Sequence, residues 1–380
     1  MEFRIPGQAP YLLQTPAALD TPRLLVFRDR VQRNLARMRQ YLEAIAPDSG
    51  YRHLCPHVKT NKSSQVTGWM RAAGITHCKT TMRELEMTLQ AGVQSVFIAY
   101  PLLPHEARTA AQCLQEFPHV DIQVQIGNRA HAEILATVAQ AGQVSWRYFI
   151  DLDVGMHRTG IAPRQAFELY SQIATWPHFE FTGLHGYDGH IHHATLAERR
   201  AAAQQAMAEL LAVYRGFRAA GVAVPRIIVA GSPAFRLDLE ILLPAVEHDT
   251  LVQVSPGTWI FWDSNYEALA PGEFEIAAVI LAQVIEAGQG RLTLNLGHKR
   301  WAADSGPVEL FSRPGLRVLS FSEEHTVLQQ AGSDDIKIGD FLLLSPRHVC
   351  PTVNLFADFA VIGPQGEIEV LHSPVDGRNR

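Results

Sequence analysis

The sequence has little of several features that mark particular classes of protein. Four cysteines in 380 residues form no CxxC pair, which excludes a disulfide framework and favours a reduced compartment. The 33 basic residues do not exceed the 38 acidic ones, which argues against a nucleic-acid-binding protein. No run approaches the ~18 apolar residues of a membrane span, and residues 1–19 lack the apolar core of a secretory signal. We therefore expect a cytoplasmic protein that binds neither nucleic acid nor membrane.

The chain is comparatively rich in apolar residues and in histidine. Apolar residues make up 47% and charged residues 19% of the chain, a balance that supports a large buried core. The 17 histidines are about twice the usual number, and several lie between His178 and His193. The length allows two domains, or one barrel-sized domain with an appendage.

Eight short apolar runs alternate with helical segments in the first two thirds of the chain. This alternation predicts βα units and a parallel sheet. Eight repeats favour a closed (β/α)8 TIM-type barrel over an open doubly wound sheet, although periodicity alone leaves the open sheet as an alternative. The predicted strands are residues 53–57, 76–80, 95–100, 121–126, 146–151, 180–185, 226–230 and 251–255.

After residue 263 the pattern changes to short β runs separated by turns. Runs at 276–285 and 291–296 flank a Gly-Gln-Gly turn at 288–290 and predict a hairpin. We therefore expect an α/β fold with a barrel domain at 28–265, followed by an all-β C-terminal domain at 266–380 on which residues 1–27 pack. The later predicted strands are residues 308–311, 316–321, 341–344, 359–362 and 367–371.

Lys59 is the first candidate functional residue. In a barrel, functional groups follow the carboxyl ends of the strands, and Lys59 comes directly after the first predicted strand. An arbitrary lysine is usually a surface residue. At a barrel mouth, however, a lysine can be desolvated and become nucleophilic enough to form a Schiff base. Lys62 is the local rival, but it lies further into the loop.

Two glycine turns follow the last two predicted strands. Gly231-Ser232 and Gly257-Thr258 stand where barrels commonly bind a phosphate with backbone N–H groups and hydroxyls. Each alone is an ordinary turn. As a pair at this location they predict a phosphate site.

His348 and Cys350 are candidate metal ligands. If residues 347–352 are extended, side chains two apart share a face, and both could reach one cation. Imidazole and thiolate together suit zinc, and two protein ligands leave the open positions of a catalytic site. The pair alone is a weak signal.

Three motifs give the sequence a resemblance to a known family. Residues 56–62 (PHVKTNK), 323–325 (EEH) and 346–352 (PRHVCPT) resemble those of the D-threonine aldolase and D-serine dehydratase family. This family is the metal-dependent branch of the fold-type III pyridoxal-phosphate enzymes and is related to alanine racemase. The resemblance implies an alanine racemase-like barrel, a C-terminal β domain, a homodimer and a small D-amino acid substrate.

The resemblance also implies a role for each candidate residue. Lys59 would bind the cofactor covalently, Arg158 would meet its phenolic oxygen, and Tyr187 would lie near its pyridine nitrogen. A divalent metal beside the substrate's β-hydroxyl would be held by His348 and Cys350. The phosphate would be held by the two glycine turns, through Gly231, Ser232, Gly257 and Thr258.

Cys350 favours one branch of this family. The resemblance implies aspartate with manganese or magnesium in the aldolases, and cysteine with zinc in the dehydratases, in keeping with the softness of thiolate. We therefore expect a dehydratase of the D-serine or D-threo-3-hydroxyaspartate type, which forms a 2-oxo acid and ammonia. The alternative is aldolase-type cleavage to glycine and an aldehyde. Trp259 departs from the family pattern and leaves substrate size open.

A more distant alternative is a barrel metallohydrolase. His190-Ile191-His192 has the spacing of a metal pair, and His185 and His193 lie close by in sequence. A solvated, histidine-rich loop is the reading we favour for this stretch. A non-catalytic pyridoxal-phosphate carrier fits less well, because a carrier needs neither the β domain nor the metal ligands.

Overall fold

The computed structural model describes residues 1–306, 310–330 and 336–378. The chain divides into two compact units, one of residues 39–59 and 67–257 and one of residues 1–38, 60–66 and 258–380. In the part of the chain that is described, no helix has the length and apolar character needed to cross a membrane.

The elements below are given in chain order. The strands are β1 (Glu2–Phe3), β2 (Tyr11–Leu12), β3 (Arg23–Phe27), β4 (His77–Thr80), β5 (Ser95–Ile98), β6 (Asp121–Ile126), β7 (Trp146–Leu152), β8 (Phe179–Gly186), β9 (Arg226–Val229), β10 (Leu251–Val254), β11 (Ala278–Gly288), β12 (Arg291–Leu294), β13 (Leu316–Phe321), β14 (Thr326–Gln330), β15 (Phe341–Leu344), β16 (Asp358–Ile362) and β17 (Ile368–Pro374). The α-helices are α1 (Arg28–Ile45), α2 (Ser64–Ala72), α3 (Met82–Gln90), α4 (Pro104–Glu116), α5 (Arg129–Gly142), α6 (Ala166–Ile173), α7 (Leu196–Ala219), α8 (Phe235–Leu242), α9 (Ser264–Leu269) and α10 (Val349–Asn354).

The unit of residues 39–59 and 67–257 is a closed parallel barrel. Strands β4 to β10 lie side by side in sequence order. The first predicted strand, 53–57, is instead an irregular segment that bridges β10 through Leu54 and β4 through His57. Both edges of the sheet meet at this segment, so the predicted barrel is confirmed. Pro56 has no backbone N–H, which explains why the pairing there is reduced to isolated bridges.

The other seven predicted barrel strands are confirmed, with ends that agree to within about two residues. The barrel interior is packed by aromatic and aliphatic side chains. Phe97 of β5 and Phe149 of β7 have ring centroids 4.7 Å apart, and both are fully buried with Cys55 and Ile228. Since all the strands are parallel, their carboxyl ends and the residues that follow lie at one end of the barrel.

The other unit is built on a β sheet. The predicted hairpin is confirmed, because β11 and β12 pair antiparallel with Gly288 opposite Arg291. β3, from the N-terminal segment, pairs antiparallel with β11 and parallel with β16. The C-terminal part is mostly β but includes the short helices α9 and α10. Of the predicted strand 308–311, residues 308 and 309 lie outside the described residues, and Phe311 forms a bridge to Leu344.

Candidate active site

A cavity of about 530 Å³ opens at the carboxyl ends of the barrel strands. Its lining includes three of the residues predicted from sequence, Lys59, Arg158 and Tyr187. They come from the segment after the first predicted strand and from the loops after β7 and β8. The fold thus brings together side chains that are far apart in sequence, in a volume typical of small-molecule sites.

Lys59 follows a short segment that is held by backbone hydrogen bonds. Val58 N–H donates to the carbonyl of Lys79 at 3.0 Å, and Lys79 N–H donates to the carbonyl of Pro56 at 2.9 Å. These bonds link the segment to β4. They fix the backbone from which the Lys59 side chain extends to the cavity.

Arg158 is positioned by a tightly folded loop. One carboxylate oxygen of Asp153 accepts N–H hydrogen bonds from Gly155 at 3.1 Å and His157 at 2.9 Å. Gly160 has a φ of +98°, and a Cβ there would lie 2.6 Å from the backbone nitrogen of Asp153. Only glycine fits this position, so the sequence around Arg158 fixes its placement.

Three basic side chains lie within 6 Å of the Tyr187 ring centroid. Arg158 Cζ lies 5.0 Å, Lys79 Nζ 5.1 Å and Lys59 Nζ 5.9 Å from the ring centroid. A Cβ at Gly189 would lie 2.4 Å from the tyrosine hydroxyl oxygen, so the glycine makes room for the ring. No carboxylate is found among the described residues that line the cavity. The cavity is therefore suited to an anionic ligand.

Sequence reasoning missed Lys79, which is buried at the end of β4. Its Nζ lies 2.9 Å from His185 Nε2 and 3.0 Å from Ser255 Oγ. His185 Nδ1 lies 2.7 Å from a carboxylate oxygen of Asp151, whose other oxygen accepts a hydrogen bond from Gln125. The sequence did offer a signal for Lys79, because it lies inside a predicted barrel strand and buried lysines are rare.

Burial changes the pKa values of Lys79 and His185. It lowers the pKa of Lys79 to about 7, and the charge of Lys59 adds to this effect. Burial and the charge of Lys79 lower the pKa of His185 to about 4, against the raising effect of Asp151. His185 is therefore neutral at physiological pH. When His185 Nδ1–H donates to the Asp151 carboxylate, the unprotonated Nε2 is a hydrogen-bond acceptor.

The two predicted glycine turns contact each other. Gly257 N–H donates to Ser232 Oγ at 3.2 Å, and Gly231 N–H donates to Asp188 at 2.8 Å. The turns after β9 and β10 are thus joined by a hydrogen bond, and the phosphate role of these residues stays a prediction. Thr258 belongs to the other compact unit.

Asp188, which supports the Gly231 turn, faces a second buried carboxyl, Asp238 of α8. Both are fully buried, and in the described part of the chain neither oxygen of Asp238 has a donor. Burial raises the pKa of both carboxyls, and the charge of Asp188 raises that of Asp238 further. Burial and the neighbouring charge therefore both favour the protonated form of Asp238.

We expect Asp238→Asn to stabilise the protein at alkaline pH. The folded-state pKa of Asp238 is raised, so its contribution to stability is greatest below the ordinary carboxyl pKa and is lost as pH rises toward the folded value. An asparagine amide can donate to Asp188 without titrating. At about pH 8 the variant should melt about 2 °C or more above the wild type, and the difference should shrink at about pH 5. The exposed change Asp20→Asn is the control, and a lower melting temperature at pH 8 would contradict the expectation.

His348 and Cys350 lie together in the second compact unit, but not for the predicted reason. Residues 347–352 are not an extended segment: α10 begins at Val349, and His348 directly precedes it. The helix start is fixed by Asp263, which accepts the Val349 N–H at 3.0 Å. The predicted two-residue strand periodicity is therefore wrong. The two side chains meet because the chain turns into a helix between them.

The surroundings of this pair favour an imidazolium and a thiolate. His348 Nδ1 lies 2.6 Å from Asp304, and Cys350 Sγ lies 3.2 Å from Thr60 Oγ1 and 3.7 Å from Thr258 Oγ1. Burial opposes the charge on His348, but contacts with Cys350 and Asp304 raise its pKa to about 9. Burial likewise opposes the thiolate, but the His348 contact lowers the pKa of Cys350.

The histidine-rich stretch does not form a metal site in the described residues. His185 lies inside the barrel, bonded to Asp151 and Lys79, whereas His192 and His193 are exposed. Within the described ranges, no group of three or more His, Cys, Asp or Glu side chains could hold a metal. The same result applies to His348 and Cys350, so neither metal prediction has three protein ligands among the described residues.

Comparison with known families decides the relationship of this chain. Residues 26–264, more than half of the sequence, match the family described as "Alanine racemase, N-terminal domain". The chain belongs to this family. Residues 277–362 also match a family described as "Putative serine dehydratase domain". The alanine racemase-like fold and the resemblance noted from the sequence motifs are thereby confirmed.

Individual relatives are similar over nearly their whole length. A D-threo-3-hydroxyaspartate dehydratase of Delftia sp. (strain HT23) is 26% identical, over 93% of this chain and 97% of its own. A D-threonine aldolase of Arthrobacter sp. is also 26% identical, over 91% and 90%. The crystal structure of a D-threonine aldolase from Filomicrobium marinum is 25% identical, with a TM-score of 0.86 over 95% and 96%. The predicted enzyme class, a lyase of this alanine racemase-like family, is confirmed.

Proposed function

We propose that this alanine racemase family member is a pyridoxal-phosphate- and zinc-dependent dehydratase of D-3-hydroxy amino acids. It would convert its substrate to a 2-oxo acid and ammonia. The observation that supports this most strongly is the shared cavity of Lys59, Arg158 and Tyr187, which is cationic and has no lining carboxylate among the described residues.

The residues of the barrel fit pyridoxal phosphate. Lys59 offers an amine for the aldehyde, and Arg158 offers a guanidinium for the phenolic oxygen. Gly231, Ser232 and Gly257 form a joined pair of turns that suits the phosphate. Tyr187 would lie near the pyridine nitrogen, and Thr258 would complete the phosphate site. We expect pyridoxal phosphate as the cofactor because the chain belongs to the alanine racemase family.

Each residue then has a definite task. Pyridoxal phosphate, when bound, withdraws electrons from the α-carbon of an amino acid. Lys59 would hold the cofactor through its aldehyde carbon, and as a free amine its Nζ would accept the α-proton of the substrate. Arg158 is fixed by its loop, so its charge requires little reorganisation during reaction. The Tyr187 ring lies 5.9 Å from Lys59 Nζ and 5.0 Å from Arg158 Cζ, close enough to interact with both groups.

The second compact unit offers donors that fit a divalent metal. His348 and Cys350 supply one nitrogen and one sulfur, the donor types that zinc prefers, and manganese or magnesium is the alternative. Asp304 contacts His348 Nδ1, the second contact typical of metal-binding histidines, so Nε2 would bind the metal after losing its proton. A bound zinc ion would act as a Lewis acid on the substrate's β-hydroxyl.

Cys350 supports dehydration over aldol cleavage, because a thiolate favours zinc over harder ions and the family resemblance associates zinc with the dehydratases. The relatives include both types of enzyme, a D-threo-3-hydroxyaspartate dehydratase and a D-threonine aldolase. Aldol cleavage is therefore the second candidate.

Product analysis with D-threonine separates the two reactions. A dehydratase releases 2-oxobutanoate and ammonia, whereas an aldolase releases glycine and acetaldehyde. We expect 2-oxobutanoate from D-threonine and pyruvate from D-serine. Both reactions should stop when a chelator removes the metal. D-threo-3-hydroxyaspartate completes the panel. Glycine as the main product from D-threonine would replace the proposal with the aldolase.

We also propose that the chain works as a homodimer, as the family resemblance implies. Light scattering coupled to size-exclusion chromatography should give twice the mass of the 42.1 kDa chain. A monomer with full activity would contradict this.

A further inference from the structure

The cavity contains a second amine, Lys79, whose surroundings are unlike those of a structural lysine. It is almost completely buried, it lines the same cavity as Lys59, and its hydrogen-bond partners in the described part of the chain include no carboxylate. Its two polar neighbours are His185 Nε2 at 2.9 Å and Ser255 Oγ at 3.0 Å. A lysine that only stabilised the barrel would be expected to pair directly with an acid.

Both neighbours are hydrogen-bond acceptors toward Lys79. Asp151 accepts the Nδ1 proton of His185, which leaves the Nε2 lone pair for Lys79. Ser255 directs its hydroxyl proton to the carbonyls of Val229 and Ala230, so its oxygen accepts from Lys79. A neutral amine has two N–H bonds, and these two acceptors use both of them. The remaining tetrahedral position of Nζ is then a lone pair available to the cavity.

We propose that Lys79 is the base that removes a proton from the ammonium group of the entering amino acid, with His185 and Asp151 as its supporting relay. This inference rests on the proposed function, since any amino acid must lose that proton before its nitrogen can attack a carbonyl carbon. The ammonium N–H bond breaks, its electron pair stays on the substrate nitrogen, and a new N–H bond forms at Lys79 Nζ. No oxidant or further reactant is needed, and the step is common to dehydration and aldol cleavage.

The charge balance of the site favours this transfer. Burial holds the pKa of Lys79 at about 7, so much of it is neutral at physiological pH. After it accepts the proton, its positive charge is offset by the Asp151 carboxylate through the neutral imidazole of His185. The thiol of Cys55 is neutral because burial raises its pKa to about 12. The titratable or charged groups that act on Lys79 and His185 from the surrounding elements are Cys55, Lys59, Asp151, Arg158 and Asp188.

The test follows the reaction of the full-length, pyridoxal-phosphate-loaded protein with D-alanine, which has an amine but no β-hydroxyl. The readout is the rate of the cofactor's absorbance change on mixing, so no turnover is required. At pH 7 we expect Lys79→Gln to react at least about 10-fold more slowly than the wild type. At pH 10, where the amino acid has lost its proton to solvent, the two rates should agree to within about two-fold. Lys62→Gln is the matched control and should follow the wild type throughout.

Convergence at high pH separates this role from a structural one. A distorted cavity would slow the reaction equally at pH 7 and pH 10, and that result would overturn the inference. Asp151→Asn gives a second check. Because the Asp151 charge raises the pKa of Lys79, its removal should move the acidic limb of the rate profile to lower pH.

A measurement on the wild type keeps the inference testable if Lys79→Gln does not fold. Competitive acetylation with acetic anhydride across pH, read by mass spectrometry, reports the titration of each lysine. Half-maximal labelling of Lys79 near pH 7 supports the inference, and labelling at the ordinary lysine pKa of about 10.4 overturns it. If the wild type binds no pyridoxal phosphate, the proposed function fails. If it reacts with D-alanine and Lys79→Gln shows the same pH profile, only the inference about Lys79 fails.

Discussion

Lys59→Ala should abolish the covalent attachment of pyridoxal phosphate and lower lyase activity by at least about 1,000-fold. The amine both binds the cofactor and accepts the α-proton in the proposed reaction, and alanine can do neither. The cofactor's absorbance band should be lost. Borohydride reduction of the wild type, followed by peptide mass spectrometry, should find the cofactor on Lys59.

Lys62→Ala is the control for this experiment. Lys62 was the rival candidate in the sequence, and its replacement should leave both the absorbance band and the activity intact. A wild-type protein with the reduced cofactor on another lysine would contradict the assignment of Lys59. Thermal unfolding should be similar for the two variants, because neither change removes a large buried apolar group.

Cys350→Ala should lower the metal-dependent activity by at least about 100-fold while pyridoxal phosphate remains bound. The thiolate is one of two proposed metal ligands, and its loss leaves His348 as the remaining protein donor of the pair. The metal content of the purified variant, measured by atomic absorption, should fall with the activity. The cofactor's absorbance should be unchanged because Lys59 and Arg158 are intact.

Two further variants sharpen this second prediction. Cys350→Asp replaces the soft thiolate ligand with a hard carboxylate ligand. We therefore expect manganese or magnesium to restore more activity than zinc does. Cys113→Ala, on α4, is the matched control and should retain both zinc and activity. Full activity of Cys350→Ala in a chelator would exclude the metal role.

The barrel was predictable because its signal is local and repeated. Eight apolar runs that alternate with helical segments favour a barrel, and seven of them are strands at nearly the predicted positions. The first run is not a regular strand because Pro56 cannot donate a hydrogen bond. Its two bridges nevertheless close the sheet, and closure depends on pairing between residues about two hundred positions apart, which no local pattern specifies.

The sequence likewise indicated candidate site residues but not how the fold brings them together. Lys59 is a candidate because it follows a predicted strand, and His348 and Cys350 are candidates because imidazole and thiolate are metal donors. The reason given for the second pair was nevertheless wrong, since α10 begins at Val349. Side chains two positions apart can meet in an extended segment or at the start of a helix. Their spacing in the sequence therefore did not distinguish the two structures.

By itself, then, the sequence determined the barrel repeat, the change to short β runs after residue 263, and the residue types able to hold an aldehyde cofactor and a soft metal. These follow from hydrophobic periodicity and side-chain chemistry, which each segment expresses locally. Only the tertiary structure decided the hydrogen-bond network that links Lys79, His185 and Asp151. Its members lie on three different strands, and their protonation depends on burial that arises only when the barrel closes around them.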